Sequence, residues 1–76
     1  MQTAFGVAID LHPIDREFFG YVSRLGRCGR ISFTAFTIRL ETLVRTFMAR
    51  GVPAAIAHCG VRLARLWREI AVQVMA

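Results

Sequence analysis

Ile31-Ser32-Phe33-Thr34-Ala35-Phe36-Thr37-Ile38 admits two readings, and the choice between them decides the fold. Its β-branched and aromatic residues suit a strand. Followed as far as Arg50, however, Phe33, Phe36, Leu40, Leu43, Val44 and Phe47 fall on one helical stripe. Glu41 and Arg45 form an i,i+4 pair on the opposite side. The longer pattern wins, and a helix is expected over about 34–50 with Ser32 or Thr34 as its N-cap. Only the first few residues of 31–38 are open to an extended conformation.

Toward the C-terminus, Gly51-Val52-Pro53 breaks the chain: glycine suits the left-handed position after a helix, and proline suits the start of the next. A helix then runs over about 53–75. Ile56, Gly60, Leu63, Leu66, Trp67, Ile70 and Val74 lie along one face of it. His58, Arg62, Arg65 and Glu69 lie opposite, with Arg68 near the edge. So short a break makes the last two helices an antiparallel pair. Trp67 keeps the spacing of the apolar set and is expected in the core or at an interface.

Toward the N-terminus, Gly26 and Gly29 end a helix of about 13–25 that carries Phe18, Val22 and Leu25 at helical spacing. Pro13 suits its first turn, and Asp15 and Glu17 complement the positive end of its dipole. Before it, Phe5, Val7, Ile9 and Leu11 alternate with small residues and Asp10, the period of a short strand over about 4–11. The expected fold is mainly α: one domain, 1–76, with a short N-terminal strand followed by three helices.

The chain is 76 residues long and 55% hydrophobic, with a mean hydropathy of +0.47. So short a chain cannot bury that much apolar material, and the surplus is expected to face a second chain. A strand without a partner points the same way, so a homodimer is expected. No uncharged stretch approaches the roughly 20 residues of a spanning helix. The apolar start has no basic residue before Arg16, unlike a secretory signal. Cys28 and Cys59 show no disulfide spacing, which fits a cytoplasmic location.

All ten basic side chains are arginine, against five acids, a net charge of +5. The planar guanidinium fork favours carboxylates and phosphates, so the partner is expected to be acidic: a protein surface or nucleic acid. Candidate contacts are Arg62, Arg65, Arg68 and His58 on the last helix, and Arg24, Arg27 and Arg30 near the first loop. No pair of His, Ser or carboxylate residues has a catalytic spacing, so an enzyme is not expected. Nor is a cofactor or a metal. His58 and Cys59, adjacent on a helix, point about 100° apart and would not converge on one ion with His12 and Cys28.

The alternating segment Gly6–Leu11, Pro13 opening a helix, the turn Gly29-Arg30-Ile31-Ser32 and the helix begun near Thr34 together resemble the ribbon-helix-helix family of dimeric DNA-binding regulators. That resemblance covers residues 4–50. It implies a strand pairing across a dimer and entering the major groove. The outward face of this strand would carry Gln2, Ala4, Gly6, Ala8 and Asp10, poor readers of base edges. A ribbon here would therefore serve dimerisation or a protein partner. Residues 51–70 also permit a helix-turn-helix reading, with Gly60-Val61 as the turn and Arg62–Ile70 as recognition helix. The favoured expectation is a small regulatory protein that binds a partner protein as inhibitor, antiactivator or adaptor. A DNA-binding regulator is the alternative.

Overall fold

The structure is a computed structural model that describes residues 12–75. The expected strand over 4–11 lies outside the described residues. Three helices follow one another: α1, Pro13–Arg27; α2, Phe33–Ala49; and α3, Ala54–Met75. Among the described residues there is no strand.

Local chemistry explains the boundaries. Pro13 stands at N1 of α1, where its missing N–H costs nothing, and His12 Nδ1 accepts from the Ile14 N–H at 3.2 Å. Ser32 is extended and its Oγ accepts from the Ala35 N–H at 3.1 Å, which settles the ambiguous stretch as helix from Phe33 onward. At the far end of α2, Gly51 takes φ +111°. Its N–H bonds to Met48 O at 3.1 Å, and the Val52 N–H bonds to Phe47 O at 3.0 Å. This pair of bonds is a Schellman motif, whose accompanying apolar contact is supplied by buried Phe47 and Val52.

Phe18, Val22 and Leu25 of α1 are buried with Phe36, Leu40 and Phe47 of α2 and with Val52, Ala57 and Ala64. The Phe18 and Phe47 rings meet at 5.4 Å and tilt across one another, a favourable aromatic geometry. Glu41 and Arg45 approach to 3.9 Å on the solvated side, as their spacing suggests.

Helix directions follow from which residues meet. Phe18 meets Gly60, and eight residues on Gly26 meets Ala64 and Trp67, so α1 and α3 run the same way. Arg68 reaches Ile31 and stacks over Phe36 at the start of α2, while a four-residue break joins the opposite ends. The last two helices are therefore antiparallel. The closest helix–helix approach, however, is between α1 and α3.

That approach overturns two expectations. Gly26 does not end α1 but lies inside it, because a Cβ there would come within 2.6 Å of Ala64 O and 2.7 Å of Trp67 Cβ. The buried face of α3 is Ala57, Gly60 and Ala64, with Leu66, Ile70 and Val74 exposed. At 100° per residue that face is turned roughly 80° from the expected stripe. Small side chains let the α1 backbone come near, so contact chose the smallest face of α3 over the most apolar one. As the unbroken stripe over 53–75 leads one to expect, α3 is continuous through Gly60-Val61, and no turn divides it there.

Candidate partner-binding surfaces

Two open grooves lined partly by apolar side chains lie one on either side of α2. The first, of about 620 Å3, runs between the start of α2 and the C-terminal half of α3. Phe33 and Phe36 come from α2, and Arg65, Arg68, Glu69 and Val72 from α3. Phe36 is buried, but Phe33 stays 70% exposed although it begins the expected core stripe. Phe33 is the first residue of α2, with the Arg68 guanidinium 6.0 Å from its ring and the rest of its surface open to the groove.

Arg68 is the residue whose role differs most from expectation. It was expected at the edge of an exposed basic face, but it is half-buried. Its Nη1 donates to Ile31 O at 2.9 Å. The guanidinium lies over the rings of Phe36, at 5.1 Å, and Phe33, at 6.0 Å. It pins the α1–α2 loop to α3 and forms one wall of the groove. Arg65 is exposed on the same wall. Arg62 and His58 are exposed further toward the start of α3 and line neither groove.

The second groove, of about 510 Å3, lies between α1 and α2. Tyr21 and Leu25 form its α1 side, and Ile38 and Leu43 its α2 side. Arg24 stands on one wall, its Nε donating to Gly20 O at 3.4 Å and its guanidinium 4.8 Å above the Tyr21 ring. Arg39 stands on the other wall, exposed and without an ion-pair or hydrogen-bond partner among the described residues.

The expected site residues thus divide. Arg65 and Arg68 share the first groove, and Arg24 lines the second. Arg27 stacks over Trp67 at 5.3 Å, beside a smaller hollow formed by Ile70, Ala71 and Val74. Arg30 is exposed in the loop. Phe33, Tyr21, Ile38 and Arg39 were not singled out as site residues. Phe33 was assigned to the core, and Ile38 and Arg39 fall off the stripe with no motif to mark them.

No described helix is long and apolar enough to cross a membrane. Comparison with protein-family models, with curated proteins and with solved structures finds no match.

Proposed function

We propose that this chain is a small non-enzymatic regulatory protein that binds and modulates a partner protein, as an inhibitor, antiactivator or adaptor. One observation carries the reading: Phe33, an aromatic side chain 70% exposed, stands in an open apolar groove walled by Arg65 and Arg68. Aromatic and arginine side chains set side by side in such a pocket are the residues that dominate protein–protein binding energy. The partner's contact surface is apolar with acidic groups around it, to meet the arginines.

The charge pattern supports a protein over DNA. A phosphate-binding face needs several free cations in register, and Arg68 is already held by Ile31 O and two rings. Only Arg62 and Arg65 of the expected three remain free on that face.

Self-association belongs to the same reading. Leu66, Ile70 and Val74 form an exposed stripe on α3. Arg62 and Glu69, seven apart, lie along one edge of it. Two copies set antiparallel about Ile70 would bring the stripes together, with Leu66 of each beside Val74 of the other, an isologous contact.

The test is affinity capture from nuclease-treated host lysate with a photo-crosslinker beside Phe33, using the parent chain and Phe33→Ala. A defined protein captured by the parent and lost with the variant supports the reading. Capture that disappears on nuclease treatment returns the chain to the DNA-binding alternative.

A further inference from the structure

The second groove carries its own chemistry, and we infer that it is a docking site for an acidic amphipathic helix, separate from the surface around Phe33. Its floor is apolar: Tyr21 and Leu25 from α1, Ile38 and Leu43 from α2. Tyr21 and Ile38 are exposed large side chains in a chain whose other apolar material was available for packing. Its two walls each carry one arginine, Arg24 and Arg39, and among the described residues no carboxylate lines it. Neither arginine has an ion-pair partner among the described residues.

Charge complementarity selects the occupant. Paired guanidinium walls about an apolar floor match a helix with one apolar stripe and Asp or Glu on both flanks. Arg24 is pre-set for this role. Its Nε bond to Gly20 O and its stacking on Tyr21 fix the guanidinium plane, leaving the terminal N–H groups for a carboxylate. The walls are antiparallel helices and the described residues offer no strand edge, so the groove suits a helix rather than an added strand.

Other occupants fit less well. A nucleic-acid backbone would leave the aliphatic floor facing water and phosphate. A second copy would offer its Leu66–Ile70–Val74 stripe, but the neighbouring charges there are Arg62, Arg65 and one Glu69, which set basic against basic.

The probe is a displayed library of helix-forming peptides of about four turns, selected against the whole chain. Cys28 reports occupancy, because it is an exposed thiol lining this groove, and exposed Cys59 on α3 is the control. Selected peptides are expected to carry apolar residues at i, i+3 or i+4, and i+7 with acids on both sides. Their binding should slow alkylation of Cys28 and leave Cys59 unchanged. Arg24→Glu with Arg39→Glu should weaken binding by roughly tenfold or more, and lysine should then replace glutamate as the preferred flank. Arg39→Glu alone serves if the double variant loses helicity. Phe33→Ala should leave this binding intact, so failure here is distinguishable from failure at the first groove. Selection of nothing, of neutral or basic peptides, or of acidic peptides that leave Cys28 unprotected or survive the charge reversal would overturn the inference.

Discussion

Gly60 lies so close beneath the ring of Phe18 that a Cβ at position 60 would overlap it. Phe18 is fully buried, so the ring has nowhere to retreat. This contact and the matching one of Gly26 on Ala64 explain why α1 and α3 run close together. They also explain why the apolar stripe of α3 is left outside.

Gly60→Ala and Gly26→Ala are therefore expected to destabilise the fold. The overlap costs about 1–3 kcal/mol, more than the gain of roughly 1 kcal/mol from replacing a helical glycine. Gly20 is the control: it is exposed on α1 with nothing within 4 Å of an added Cβ. Gly20→Ala should stabilise by about 0.5–1 kcal/mol. Urea unfolding of the three variants checks the order, and equal stabilisation by all three would refute the close packing.

Arg68 should behave unlike its neighbours on α3. Arg68→Ala removes a charged hydrogen bond to Ile31 O, worth about 1.5–3 kcal/mol, and two ring contacts. Arg68→Lys should recover little, since an ammonium lacks the planar face that stacks on Phe36. Arg62→Ala and Arg65→Ala should stay within about 0.5 kcal/mol of the parent. Equal effects at all three positions in thermal melts would return Arg68 to a solvated face.

These contacts also show what could be read from residue order. Ser32, Gly51 and Pro53 act on their own few neighbours, so both ends of α2 and the start of α3 were legible, whereas the end of α1 was not. Most of the core face of α1 was legible too, because Phe18, Val22 and Leu25 keep helical spacing and are buried; Asp15 and Gly26, buried beside them, were not. On α3 those two properties separate. Helical spacing placed Leu66, Ile70 and Val74 together correctly, but which face is covered depends on how near α1 can come, and Gly60 and Ala64 decide that. Arg68 was hidden for the same reason: an arginine at the edge of one stripe becomes half-buried when the helix turns.

The exposed stripe predicts the behaviour of the chain in solution. Leu66→Glu and Ile70→Glu should leave helicity nearly unchanged, because both side chains are exposed on the single chain, and should lower the melting temperature only by the stabilisation that dimerisation supplies. The parent is expected to sediment as a dimer and these variants as monomers. A parent that stays monomeric at every concentration would eliminate the α3–α3 contact.

Phe33 and Phe36 provide the sharpest separation of folding from binding, since their rings lie 6.4 Å apart on the same helix face. Phe36 is 2% exposed, and Phe36→Ala should cost about 3–5 kcal/mol, enough to unfold most of so small a chain. Phe33→Ala removes a ring already largely in water, so it should cost far less. Its main structural loss is one of the two faces over which Arg68 stacks, about 0.5–1 kcal/mol at an exposed site. If the groove binds a protein, Phe33→Ala should speed dissociation of that partner, because a central aromatic anchor acts after encounter. Arg65→Glu, on the groove wall, should chiefly slow association and weaken its salt dependence. Stopped-flow association and dissociation at two salt concentrations separate the two variants. A Phe33→Ala protein that melts as far below the parent as Phe36→Ala would make the ring a packing residue and remove the basis for the site.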